Sequence, residues 1–348
     1  LAFSSIDKLL WIIVFSTPLS LNLEKLDIGG VGMFIPTEPL LFGMMLIFFL
    51  KLLYEKSYDK AVLKHPMTIA IFLSLAWILI TTLTSTMPVV SIKFFLSRLW
   101  FLSAMFFIGT QLFKSVANIR VFFWLYTIPL SIVAIFTFIH HGMNGFEERA
   151  AHWVMQPFFK DHTVYGAVVA MMFPIVMCLL SLKRYNKYKP ILIAMLIVIS
   201  LGIVFSYGRA AWISLVGAFL LSLIYKLKIK ASIILSFGGL VLLFVFIFWS
   251  SIVGVLEENE QDSTSENLTE HVQSITNIST DASNLERINR WNSAIEMFKR
   301  KPILGWGPGT YAFQYAPFQS SDDITIISTN TGDGGNAHSE FIGPLAEQ

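Results

Sequence analysis

Long apolar runs broken by short polar connections divide this chain into a series of candidate membrane spans. A spanning helix needs about 20 mainly apolar residues. Nine segments qualify, near residues 8–21, 33–50, 67–86, 94–113, 119–140, 162–182, 190–207, 210–225 and 231–253. Pro18, Pro129 and Pro174 fall within them, which membrane helices tolerate where neighbours re-satisfy the freed carbonyls.

The connections alternate in charge. Lys51, Lys56, Lys60 and Lys64 mark one, Lys114 and Arg120 a second, Lys183, Arg184, Lys187 and Lys189 a third, and Lys226, Lys228 and Lys230 a fourth, thirteen basic residues in all. The intervening connections hold Lys25, Lys93, Arg149 and Lys160, balanced by Glu24, Asp27, Glu147, Glu148 and Asp161. The positive-inside rule puts the first set in the cytoplasm. Adding or removing one span would break the alternation.

Composition agrees with a membrane origin: 55% of residues are hydrophobic and 14% charged, against roughly 25% charged in soluble domains. A net charge of +2, with basic residues spread between apolar segments, does not suggest a nucleic-acid binder. The one cysteine, Cys178, lies in an apolar run and excludes a disulfide framework. Leu1 is not methionine, and the chain stops where a further apolar segment begins, so a fragment lacking both ends is expected.

Three regions are expected. Residues 1–253 form the helical membrane domain, 254–340 a large polar loop on the non-cytoplasmic side, and 341–348 the start of another span. Within the loop, Glu257 to Ser283 reads as flexible and solvated, and Asn267 and Asn277 open chance-level glycosylation sequons. Ser283-Asn-Leu-Glu286 has capping-box spacing, so a helix is predicted near 285–300 and ended by Pro302. Arg287, Trp291, Ala294 and Phe298 share one face of it. That face is expected to lie against the membrane-embedded body.

Candidate chemistry collects on the outer side. Arg209 sits in the tight Ser206-Tyr-Gly-Arg209 connection; alone it could be an interfacial snorkelling arginine. Arg287 and Arg290 lie on the loop helix, where a solvated charged face is the plainer reading, more so for Arg290. Gly305, Gly307 and Gly309 in Gly-Trp-Gly-Pro-Gly could converge backbone N–H groups on an anion, or form an ordinary turn; no Walker lysine or dinucleotide spacing accompanies them. His338, in Asn-Ala-His-Ser-Glu340, stands where the loop re-enters the membrane. Asp161 is expected to cap the sixth span with His162 in its first turn. Arg98 lies in an apolar run, where a central charge would cost about 2.5 to 3.5 kcal/mol, so it should reach outward or face a polar cavity. No metal-ligand spacing emerges; Asp322-Asp323 lacks a third ligand.

Three blocks in order resemble the O-antigen ligase and polymerase superfamily: Ser206-Tyr-Gly-Arg209-Ala-Ala-Trp212; Arg287-Ile-Asn-Arg-Trp291 through Gly305-Trp-Gly-Pro-Gly309; and Asn336-Ala-His338-Ser-Glu340 through Gln348. The resemblance covers roughly residues 190–348. It implies an all-α integral membrane protein, a polytopic helical bundle of the GT-C-like kind with a large periplasmic loop, in the bacterial cytoplasmic membrane. It further implies a glycan on undecaprenyl pyrophosphate as the donor, and lipid A core, another glycan or a protein hydroxyl as the acceptor. Neither cofactor nor metal is expected, because no metal-ligand spacing is present in the sequence. Arg209 and Arg287 would bind the pyrophosphate, with Arg290, Gly305, Gly307 and Gly309 also on the substrate, and His338 would act as base. A lipid-linked glycan transporter predicts charges near the bilayer midplane, and a non-catalytic sensor would use the loop for binding alone; assay of glycan transfer separates the three.

Overall fold

The computed structural model describes residues 6–23, 33–55, 58–248, 282–320, 324, 328 and 335–348. Its main helices are α1 (Ile6–Ser16), α2 (Thr37–Glu55), α3 (Pro66–Leu83), α4 (Pro88–Phe101), α5 (Val116–Met143), α6 (His162–Ser181), α7 (Lys189–Val204), α8 (Arg209–Lys226), α9 (Ala231–Ile247), α10 (Ala282–Arg300) and α11 (Ile342–Glu347). Each of the nine apolar segments falls on one of α1–α9. Among the described residues, seven helices are long and apolar enough to cross a membrane. α1, with 11 residues, and α9, with 17, are shorter. The protein is an all-α polytopic membrane protein, its helical secondary structure broken among the described residues by a two-residue antiparallel pair, Leu21–Asn22 with Phe34–Ile35.

Two boundaries differ from the sequence reading. Pro18 lies not inside a helix but in a 3₁₀ turn, Thr17–Leu19, where its missing N–H ends α1. α4 begins at Pro88, so Lys93 is helical rather than in a connection; a proline at the first helical position loses no hydrogen bond and presets φ. α4 continues into a π-helical stretch, Leu102–Ile108, that no composition rule flags. Asp161 caps α6 as expected: its Oδ1 accepts from the N–H groups of Thr163 and Val164, each at 2.9 Å. Burial pushes its carboxyl up, but the hydrogen bonds from Thr163 and Val164 outweigh that and hold it below the ordinary range.

The chain forms two compact units, residues 1–57 with 100–229, and residues 58–99 with 230–348. In the first, α5, α6 and α7 pack on a core that includes Leu130, Val133, Val169, Val176, Leu192 and Ile199. Close approach depends on small residues. A Cβ built on Gly202 would fall 2.6 Å from the Tyr165 hydroxyl, and one on Gly166 would fall 2.9 Å from Ser206 Oγ. Along α8 the apolar side chains face outward, with Phe219 63% and Leu221 68% exposed. Each such side chain left in water forgoes about 1.5 to 3 kcal/mol, so this surface belongs in lipid.

In the second unit, α10 packs against α11 and a short aromatic segment, Tyr311–Phe318. Ala294, Met297, Tyr311, Tyr315, Ala337 and Ala346 form its core. The indole of Trp77 on α3 donates to the carbonyl of Gln348 at 2.8 Å.

Candidate functional site

The buried face of α10 is Glu286, Asn289, Arg290, Ser293, Ala294 and Met297, which recur at three and four residues. Of the four residues grouped on one face by the sequence, Arg287 is exposed and Trp291 is 37% exposed, whereas Phe298 is half-buried and Ala294 is buried. Polar residues on the inner face hydrogen-bond partners distant in sequence. Asn289 Nδ2 donates to Gln319 Oε1 at 2.8 Å, and Ser328 hydrogen-bonds the Glu286 carboxylate. The side chain of Ser283, assigned to the capping box, lies outside the described residues, as do the segment 251–281 with its two sequons and the Asp322-Asp323 pair.

Arg290 is only 7% exposed, the reverse of the solvated position expected for it. Its Nε donates to Glu286 Oε1 at 2.8 Å, one turn earlier, and its Nη1 reaches the Asn336 carbonyl at 3.2 Å and His338 Nε2 at 2.9 Å. The Tyr311 hydroxyl donates to the Arg290 carbonyl at 2.7 Å. Glu286 tends upward through burial, but hydrogen bonds from Ser328 and Arg290, with the Arg290 charge, hold it below its ordinary value near 4.5. The stability this lends is complete above that value and is lost as pH falls through the lower folded one. Removing either member of the buried pair leaves an uncompensated charge, at a cost of about 3 to 5 kcal/mol.

His338 is exposed and takes a left-handed backbone, φ 49°, stabilised by its N–H donating to Asn336 Oδ1 at 3.0 Å. Such a conformation costs an ordinary residue of order 1–3 kcal/mol and clusters at functional sites. Tyr207, two residues before Arg209, has φ 49° as well. In that block Ser206 Oγ donates to the Ile203 carbonyl at 2.8 Å and accepts from Gly208 N at 3.2 Å, which tightens the turn. The indole of Trp212 adds a hydrogen bond to the same carbonyl at 3.0 Å. Arg209 thus opens α8 from a fixed corner, half-buried. Arg98 is exposed, its guanidinium 5.2 Å from the Phe94 ring centre.

Gly305, Gly307 and Gly309 all have positive φ, at 59°, 115° and 75°. Backbone N–H groups do converge here, on the chain's own Glu347. Gly307 N donates to its carbonyl at 2.9 Å and Tyr311 N to its Oε1 at 2.9 Å, while Gly309 N hydrogen-bonds it too. The Glu347 carboxyl, reached by the N–H groups of Gly309 and Tyr311, thus lies at this turn, and the glycines allow close packing. A Cβ on Gly307 would lie 2.0 Å from Ser85 Oγ, and one on Gly305 would lie 2.3 Å from the Glu347 carbonyl carbon. Gly307→Ala should lower the unfolding temperature of the detergent-solubilised protein well below that of Gly217→Ala, whose added methyl meets nothing within 4 Å. The backbone strain alone is worth about 1–3 kcal/mol. Equal unfolding temperatures would remove this role from Gly307.

Of the sequence candidates, the structure brings Arg290 and His338 into contact and gathers the three glycines around Glu347. Arg287 lies on the opposite face of the same helix, and Arg209 belongs to the other compact unit. Sequence reasoning missed Glu286 as the anchor of Arg290, although the i, i+4 spacing of a Glu and an Arg was there to be read. Glu347 and Tyr311 carried no such signal.

Residues 194–348 match a family model described as O-Antigen ligase, a stretch that takes in Arg209, α10, the glycine turn and His338. No curated protein and no solved structure matches the chain.

Proposed function

We propose that this chain, whose residues 194–348 match the O-Antigen ligase family model, transfers a glycan from undecaprenyl pyrophosphate to an acceptor hydroxyl. The reaction takes place at the periplasmic face of the bacterial cytoplasmic membrane. One observation carries the reading: an exposed histidine, held in a left-handed conformation and hydrogen-bonded through one ring nitrogen, lies within the matched stretch. In the transfer, the hydroxyl oxygen bonds to the anomeric carbon, its proton passes to His338, and the bond to pyrophosphate breaks with its electron pair on the leaving oxygen. An imidazole with an ordinary pKa of about 6.5 suits that proton transfer near neutral pH. The leaving group gains negative charge, which the bidentate guanidinium groups of Arg209 and Arg287 stabilise. Arg290, also expected on the substrate, hydrogen-bonds Glu286 through Nε and Asn336 and His338 through Nη1. The test is transfer by purified protein from an undecaprenyl-pyrophosphate-linked glycan to lipid A core, glycan and peptide acceptors; release of pyrophosphate lipid with no glycosylated product would overturn it.

The orientation has its own test. In a Cys178→Ser background, single cysteines replacing Lys187 and Glu296, both exposed, should differ in intact cells. Only the second should react with a membrane-impermeant thiol reagent, because the basic connections are cytoplasmic. Equal labelling would reverse the assignment of the loop to the periplasm.

A further inference from the structure

A guanidinium carries five N–H donors, accepts no hydrogen bond, and stays charged at every accessible pH. Arg290 Nη1 stands 2.9 Å from His338 Nε2, so Nε2 must be the accepting nitrogen and the neutral ring must carry its proton on Nδ1. Protonation at Nε2 would turn two donors and two positive charges against each other. We infer that Arg290, anchored by Glu286, is a positioning residue that fixes His338 as the uncharged Nδ1–H tautomer; its consequence for transfer rests on the proposal that His338 takes the acceptor's proton. Glu286 is suited to the task because its carboxylate holds the guanidinium's Nε edge at 2.8 Å from within the buried face of α10. Tyr311 fixes the backbone from the other side, and the Tyr315 ring lies 6.0 Å from the guanidinium carbon.

The arrangement has a mechanistic consequence. The lone pair that would accept a proton is the one Arg290 holds, so the acceptor hydroxyl must replace Nη1 at Nε2, while Nη1 retains the Asn336 carbonyl at 3.2 Å. On transfer, the hydroxyl O–H bond breaks and an N–H bond forms at Nε2. The imidazolium so formed sits beside a second cation, which favours passing its proton on to water and resets the ring. Arg290 thereby keeps His338 in its basic form before the acceptor arrives and restores that form afterwards.

The experiment is nitrogen-15 NMR of the full chain in nanodiscs, with labelled histidine and the His338 signals assigned by their loss in His338→Gln. In the wild type at mildly alkaline pH, Nδ1 should show as protonated and Nε2 as unprotonated. Arg290→Gln should move His338 to the Nε2–H form that exposed neutral histidines prefer. Because that variant leaves Glu286 buried without its partner, the Arg290→Gln/Glu286→Gln double variant provides the same readout without a stranded charge. Turnover in either should fall by about tenfold or more, a share of the 10²–10⁴ that general base catalysis supplies, with the KM for the lipid-linked glycan unchanged. A wild-type ring protonated on Nε2, or a tautomer insensitive to Arg290, overturns the inference even if transfer requires His338. The expected tautomer change together with full turnover in His338→Ala would leave the positioning intact and refute His338 as the base.

Discussion

With alanine in place of His338, turnover of glycan transfer falls by about 10²- to 10⁴-fold, and binding of the lipid-linked glycan stays at the wild-type level. The magnitude follows from the task assigned: an acceptor hydroxyl is a weak nucleophile near neutral pH, and without a base its proton must leave to water. Binding is expected to be unaffected because the proposal assigns the pyrophosphate to other residues. The fold should survive as well, since the side chain is exposed and its backbone conformation is stabilised through Asn336 rather than the ring. Single-turnover kinetics with preloaded donor, alongside equilibrium binding, separate the two effects. Wild-type turnover in the variant would reduce His338 to a partner of Arg290, and a loss of binding without loss of turnover would move it into the donor site.

The membrane architecture was legible because its signal is local and redundant. Each span is a run of apolar residues, and the basic residues of alternate connections had to agree with the count. Boundaries were missed where one residue overrules the run: Pro18 ends α1, and Pro88 starts α4 ahead of Lys93. The loop helix was found within a few residues, but of the face grouped by its sequence only Ala294 is fully buried. Aromatic and aliphatic residues usually mark the buried face, whereas here Ile288, Trp291 and Ile295 are turned out and Glu286, Asn289 and Arg290 are turned in. Within the helix only the i, i+4 spacing of Glu286 and Arg290 pointed that way, because Gln319, Ser328, Asn336 and His338, which hydrogen-bond the inner residues, follow much later in the chain. The glycine turn shows the same limit. Its N–H groups converge as the spacing suggested, on the backbone carbonyl and the carboxyl of Glu347, a residue that becomes their neighbour only when α11 folds back.

The arginines are the sharper test of the leaving-group chemistry, since the substitution that probes them keeps the charge. Arg209→Lys and Arg287→Lys should each lower turnover by about 10²- to 10³-fold, the usual loss when one preorganised stabiliser of developing charge is removed. An ammonium is a compact point charge and cannot reproduce the two parallel hydrogen bonds a guanidinium offers to a phosphate. Arg209 adds a second argument from its position. It is the first residue of α8, where a cation opposes the positive end of the helix at a cost of about 0.3 to 1 kcal/mol, and a bound pyrophosphate would offset that cost. Arg287 is exposed and projects from the face of α10 opposite the Glu286–Arg290 pair, so Arg287→Lys should leave the unfolding temperature unchanged. Arg290→Lys should destabilise the protein, because the ammonium cannot hold Glu286 and His338 together. Transfer by the wild type is expected to persist in EDTA, since two guanidinium groups carry the charge neutralisation. Loss of transfer on chelation, restored by a divalent ion, would show that a cation shares that task, and near-normal turnover in both lysine variants at normal membrane levels would end the assignment of Arg209 and Arg287 to the pyrophosphate.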